Sequence, residues 1–129
     1  MNNADYRVEI AETSRELTAK ERVAVKFTSD CLRLDAATLE SVEDVKINPD
    51  YWVVLNVHNE KAKYDKDYEQ FIVADKDGTR YLTGSKSFIQ SFREIMDEMA
   101  NTDEPFQIVV NRVDSPNRPG KQFLMASIL

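Results

Sequence analysis

The chain contains little of several residue types on which common protein classes depend. Its 129 residues include one cysteine, one histidine and three glycines. A single cysteine, Cys31, cannot form a disulfide within the chain, so we expect a small, reduced, buried side chain in a reducing compartment. One histidine and one cysteine also do not supply the ligand sets of structural zinc. We therefore expect no metal site and no cofactor.

Long hydrophobic runs are also missing. No stretch approaches the roughly 18 uninterrupted apolar residues of a membrane-spanning helix, and the first residues show no basic start followed by an apolar block. These features predict a cytoplasmic protein with no membrane partner. Because 42% of the residues are hydrophobic and no linker rich in glycine, serine or proline occurs, residues 1–129 are expected to form a single domain.

The negative charge of the chain is distributed unevenly. A formal net charge of −6 disfavours nucleic-acid binding for the chain as a whole, because phosphates are bound by lysine and arginine. However, residues 105–129 carry +2 and residues 1–104 carry −8. Such polarity would orient the protein on a polyanion, although acidic proteins that bind only other proteins share it.

Hydrophobic periodicity predicts a mainly β chain with one or two helices. Alternating residues predict strands at 6–10, 51–58, 68–74, 79–83, 106–113 and 122–129. Asp77-Gly78 lies between two of these strands and is typical of a tight hairpin turn. Residues 85–100 instead form a helical pattern that begins at an N-cap serine and places one apolar stripe on the helix, namely Phe88, Phe92, Ile95, Met96 and Met99.

Residues 1–30 leave two interpretations open and are treated as an N-terminal extension. Thr18 and Glu21 have the spacing of a capping box, which predicts a helix reaching toward Phe27 with Val23 on the same face. In the alternative, the same segment alternates as a strand. The capping box favours the helix at the start of this segment.

The segment between the last two strands, residues 111–121, is the strongest candidate for a functional loop. It combines three cations, two amides and two prolines. These residues predict a stiff, projecting loop with donors suited to phosphates and base edges. The alternative is a solvated hairpin loop without a ligand.

Aromatic side chains supply a second candidate element, since unpaired bases stack on exposed rings. Trp52 lies on the more polar side of the strand at 51–58, although a tryptophan is more often a core residue. Arg80 and Tyr81 lie together on the predicted hairpin. The expected nucleic-acid-binding residues are Trp52, Tyr51, Asn56, His58, Arg80, Tyr81, Arg112, Asn117, Arg118 and Lys121.

Three groups of residues resemble a family of small single-stranded DNA-binding proteins from phages and mobile elements of Gram-positive bacteria. The groups are the run from His58 to Glu60, the hairpin from Asp75 to Ser85 with the following Phe88 and Phe92, and the run from Asn117 to Phe123. The resemblance covers most of the chain from about Leu17 onward. It implies a small OB-type barrel of five strands, with a helix between the third and fourth strands. Two features depart from it: an apolar final strand instead of an acidic tail, and few glycines.

These observations together predict a non-enzymatic protein that binds single-stranded DNA with little sequence preference. It would act in replication, recombination or transfer, alongside other proteins of those processes, and a homo-oligomer stays open. The alternative is a small acidic interaction or inhibitor protein of a phage or mobile element, with residues 1–104 as its contact face. A carboxylate-dependent nuclease using Asp75 and Asp77 is a third hypothesis.

Overall fold

The computed structural model describes residues 6–34, 45–117, 119–120 and 122–129. Over these residues the chain is mainly β with two α-helices, as predicted. It divides into two compact units, one of Met1–Leu32 with Asp50–Leu82 and one of Arg33–Pro49 with Thr83–Leu129. A single domain stays a prediction. No helix within the described residues has the length and apolar character needed to cross a bilayer.

The strands lie in two separate sheets, which do not close into a barrel. The elements are β1 (Tyr6–Thr13), α1 (Ala19–Lys26), a 3-10 turn (Thr28–Asp30), β2 (Leu32–Arg33), β3 (Lys46–Ile47), β4 (Pro49–Asn59), β5 (Asp67–Asp75), β6 (Arg80–Thr83), α2 (Lys86–Met99), β7 (Ile108–Asp114) and β8 (Gln122–Ile128). Every predicted strand is present, and the N-terminal helix is confirmed. The larger sheet has the strand order β1-β4-β5-β6-β2, and the smaller has the order β3-β7-β8.

Strand β4 separates the two faces of the larger sheet. Its buried residues alternate with partly or fully exposed ones, as the period of two requires. The buried set is Tyr51, Val53, Leu55 and Val57, and the other set is Trp52, Val54, Asn56 and His58. The buried set forms the core of the first unit with Leu17, Val25, Ile72, Ala74 and Leu82.

Helix α1 begins with the predicted capping box, in which Thr18 Oγ1 accepts the N–H of Glu21 and the Glu21 carboxylate accepts the N–H of Thr18. Its buried residue is Val25, with an exposed fraction of 0%, whereas Val23 and Phe27 are each 57% exposed. Residues two positions apart lie about 200° apart around a helix. The face shared by Val23 and Phe27 is therefore the solvent face.

The turn between β5 and β6 is the predicted Asp77-Gly78 hairpin. Gly78 has a φ of 97°, a conformation that glycine adopts without steric cost. The Asp75 carboxylate accepts the N–H of Asp77 at 2.9 Å, and the Asp77 carboxylate accepts the N–H of Thr79 at 2.8 Å. This second hydrogen bond lowers the pKa of Asp77. Both carboxylates thus stabilise the turn, which offers no support for their use in a nuclease.

Helix α2 packs against strand β8 of the β7–β8 hairpin in the second unit. In the predicted apolar stripe, Phe88 and Phe92 are fully buried, with ring centroids 5.9 Å apart, and Ile95, Met96 and Met99 are partly buried. The helix is also hydrogen-bonded to β8. Ser87 Oγ donates to the carbonyl of Leu124 at 2.7 Å, and Ser91 Oγ accepts the N–H of Ala126 at 2.8 Å. The hairpin therefore has a well-anchored base.

Candidate nucleic-acid interface

The face of the larger sheet opposite the core of the first unit carries an open groove of about 430 Å³. Strands β1 and β4 are antiparallel, and their register places Arg7 opposite His58 and Glu9 opposite Asn56. The groove is lined by Arg7, Glu9, Asn56, Val57, His58, Asp67, Tyr68 and Glu69. Two residues predicted for nucleic-acid binding, Asn56 and His58, thus lie beside three carboxylates.

His58 is held between two carboxylates. Its Nδ1 lies 2.7 Å from Asp67 Oδ1 and its Nε2 lies 2.9 Å from Glu60 Oε2. The hydrogen bond to Asp67 raises the pKa of His58, and the hydrogen bond to Glu60 raises it further. Burial of the ring acts in the opposite direction and lowers the pKa, but the net shift is upward. Both ring nitrogens can donate only in the imidazolium form. The second Glu60 oxygen accepts from Lys66 Nζ at 2.9 Å, so His58 is hydrogen-bonded across the β4–β5 connection.

This arrangement does not converge on a cation. Asp67 and Glu60 contact opposite edges of the His58 ring, so their oxygens do not point to a common centre with a ring nitrogen. Within the described part of the chain, no group of three or more histidine, cysteine, aspartate or glutamate side chains is arranged to hold a metal ion.

We predict that the stability conferred by His58 decreases at alkaline pH. A folded-state pKa above the ordinary 6.5 means that this contribution is complete below pH 6.5 and is lost as the pH rises through the folded-state pKa. Because the chain has one histidine, NMR of its ring protons reports the pKa directly. Asp67→Asn should bring the midpoint closer to 6.5, whereas a midpoint at or below 6.5 in the unaltered protein would contradict the prediction.

Trp52 lies on the same face of β4 as Asn56 and His58, as the alternation predicts. Its ring stacks on the buried ring of Phe71, with centroids 5.6 Å apart and planes 28° apart. Its backbone is tied to β1's end, because Trp52 N–H donates to Ser14 Oγ at 2.9 Å and Ser14 N–H donates to the Trp52 carbonyl at 3.0 Å. Trp52 as a whole has intermediate exposure, so the residue is held in place without being fully buried.

The structure corrects the expectation that Tyr51 stacks on a base. Tyr51 points into the core and is 6% exposed, and the Arg15 guanidinium lies 4.7 Å from its ring centroid. Arg15 is held there by Glu21 and Asp50. With the core on one side and this cation on the ring, Tyr51 presents no open face to a ligand.

The other predicted residues of the β5–β6 hairpin are partly buried. Arg80 and Tyr81 both have intermediate exposure. Arg80 Nε is buried and has no hydrogen-bond partner among the described residues. Burial raises the pKa of the Tyr81 phenol, and the nearby Asp75 and Asp77 charges add to this shift. Trp52 and Arg112 have the same intermediate exposure, so the roles of Arg80 and Tyr81 in binding stay predictions.

The β7–β8 hairpin carries the remaining predicted residues. Arg112 lies opposite Leu124, and Asp114 lies opposite Gln122, whose Nε2 donates to the Asp114 carboxylate at 3.0 Å. Beyond this pair the chain turns, with Asn117 exposed and Gly120 at a φ of 82°. Arg112 has no ion-pair partner among the described residues. The predicted Arg118 and Lys121 lie outside the described residues.

The predicted residues therefore lie on two separate surfaces, one in each unit. Trp52, Asn56 and His58 share a sheet face of the first unit, and Arg112 and Asn117 belong to the hairpin of the second. The carboxylate partners of His58 are not among the residues predicted from the sequence. The spacing of His58 and Glu60 on a strand would place them on one face, but Asp67 becomes a neighbour only through strand pairing.

No protein-family model, curated protein or solved structure matches this chain. The family resemblance accordingly rests on residues 58–60, 75–92 and 117–123 of the sequence alone.

Proposed function

We propose that this chain is a non-enzymatic protein that binds single-stranded DNA with little sequence preference, in replication, recombination or transfer of a phage or mobile element. The β7–β8 hairpin carries the proposal. We also propose that the fold is a variant of the OB-type architecture that the resemblance implies, in which the helix precedes the last two strands.

The hairpin has the construction expected of a phosphate-binding arm. Seven residue pairs join β7 to β8, and serine hydroxyls of α2 anchor β8, so the base of the arm is rigid. The loop beyond Asp114 contains two prolines and Gly120. The prolines restrict the backbone of the loop, and the glycine permits a turn with a positive φ. It lies in the part of the chain with a net charge of +2. Cations on such an arm release counterions from a polyanion when they bind it.

The charge environment of Arg112 supports this function. In the first unit, Arg15 and Lys66 are each paired with carboxylates at 2.9 Å. Arg112 has no such partner among the described residues. A phosphate that approaches Arg112 therefore does not have to displace a carboxylate. Displacing one would break an existing ion pair and reduce the free energy gained on binding.

Trp52 supplies the second support for the proposal. Its position against Phe71 restricts the ring without fully burying it, and a restricted ring loses little entropy on stacking with a base. Stacking of one base on an aromatic side chain contributes on the order of 1–3 kcal/mol and tolerates any base. The proposed binding has little sequence preference because phosphate contacts and stacking on an aromatic ring are both available to every nucleotide.

Fluorescence of Trp52, the single tryptophan, provides the test. We expect quenching when an unlabelled single-stranded oligonucleotide is added, with weaker responses to duplex DNA and at higher salt. Gel shifts with single-stranded DNA, duplex DNA and RNA at two salt concentrations should give the same order. In gel shifts, which do not require the tryptophan, Trp52→Ala should weaken binding at least about fivefold, with Trp52→Phe as the control that retains a ring. The absence of both quenching and a gel shift would refute the proposal.

The groove of the first unit favours a second candidate function, the binding of a basic protein. Glu9, Asp67 and Glu69 outnumber Arg7 and His58 there, and this sign of charge repels phosphates. Under this alternative, Glu9→Gln with Glu69→Gln should weaken binding of a lysine-rich peptide and increased salt should do the same. Under the DNA-binding proposal, this pair of substitutions leaves oligonucleotide binding unchanged or strengthens it.

A further inference from the structure

Strand β1 forms an edge of the larger sheet. Among the described strands it has a single neighbour, β4, and no strand lies on its other side. The regular part of the edge ends at Ile10, where a bulge interrupts the register before Glu12. An open edge of this kind offers backbone N–H and C=O groups to another strand.

The side chains of this edge are arranged with opposite charges two positions apart. Arg7 and Glu9 are exposed on one face, and neither has an ion-pair partner among the described residues. Tyr6, Val8 and Ile10 lie on the other face. Val8 and Ile10 pack partly against the core, whereas Tyr6 is 43% exposed. An exposed aromatic ring and two charges without an ion pair in the described part of the chain thus lie at one edge.

We propose that β1 pairs with β1 of a second copy of this chain, in the antiparallel direction and with Val8 of one copy opposite Val8 of the other. A two-fold axis perpendicular to the sheet relates two such strands and keeps equivalent faces on the same side. Arg7 of each copy then lies opposite Glu9 of the other, and Tyr6 lies opposite Ile10. Opposite charges and aromatic–aliphatic pairs are the cross-strand contacts that stabilise a sheet.

Charge selects this register over its neighbours. An axis at Arg7 would place Arg7 opposite itself, and an axis at Glu9 would place Glu9 opposite itself. Like charges directly opposite each other destabilise strand pairing. The register centred on Val8 forms two attractive pairs and leaves the bulge outside the paired segment. The proposal does not depend on DNA binding, because none of these residues belongs to the β7–β8 hairpin.

Charge reversal tests the interface. Sedimentation equilibrium at low ionic strength should show a dimer of the unaltered chain. Arg7→Glu and Glu9→Arg should each place like charges at both pairs and raise the dimer dissociation constant at least about tenfold. Combining both substitutions in one chain should restore the dimer, since the charges are again opposite. Circular dichroism of each variant identifies any loss of fold.

A mixing experiment separates this interface from general effects of charge. A chain with Arg7→Glu has two acidic residues at the interface, and a chain with Glu9→Arg has two basic ones. Each should be monomeric alone, and an equimolar mixture should form a heterodimer. A monomeric unaltered chain, a dimer indifferent to both reversals, or a mixture of folded variants that does not associate would overturn the proposal.

Discussion

Replacing Phe92 with alanine should lower the free energy of unfolding by about 3–5 kcal/mol. Phe92 is fully buried on α2 and stacks on Phe88 at 5.9 Å. Its removal leaves a cavity beneath the helix, so the cost includes lost contacts as well as lost burial. Urea denaturation followed by circular dichroism would measure this loss.

Gln90 on the same helix is exposed and provides the matched control. Gln90→Ala should change the free energy of unfolding by less than about 0.5 kcal/mol, as is usual for surface positions. A loss below about 1 kcal/mol for Phe92→Ala would contradict the packing of α2 against the β7–β8 hairpin.

The double substitution Arg118→Ala with Lys121→Ala should weaken binding of single-stranded DNA and flatten its dependence on salt. Each phosphate contact contributes about 0.7 to the slope of log affinity against log salt concentration for single strands. Loss of two contacts should therefore reduce the magnitude of this slope by about 1.4. Titrations at several salt concentrations, monitored by Trp52 fluorescence, provide the measurement.

The matched control removes the same charge from another surface. Lys20 and Lys26 are both exposed on α1, and Lys20→Ala with Lys26→Ala changes the net charge by the same amount. This control should shift affinity slightly through the overall field of the protein and leave the slope intact. Equal slopes for the unaltered protein and the hairpin variant would exclude the loop as the phosphate contact.

Several parts of the fold were predictable because their signals are local. The alternation along β4 placed Val53 and Leu55 inside and Asn56 outside, since strand geometry alone sets that period. Asp77-Gly78 predicted the hairpin because few residue pairs allow a positive φ. Ser85 predicted the start of α2 through its side-chain oxygen, which accepts the N–H of Phe88 at 3.3 Å.

The candidate site was less predictable because its properties arise between segments. The prediction that Tyr51 stacks on a base is wrong because the same alternation puts it on the buried side of β4, and its contact with Arg15 depends on where α1 docks. The capping box predicted that α1 begins after Thr18, but not that Val25 would be its buried residue. A short helix is oriented by the surface on which it packs rather than by its own sequence.

The sequence by itself determined the kinds of elements, their order along the chain and the uneven distribution of charge, because turns, caps and periodicities depend on residues within a few positions. Only the tertiary structure decided that the strands form two sheets instead of one closed barrel, that Asp67 reaches His58, and that β1 lies at an edge. These features depend on pairing between residues distant in the sequence, which is governed by the burial and hydrogen bonding of the whole chain.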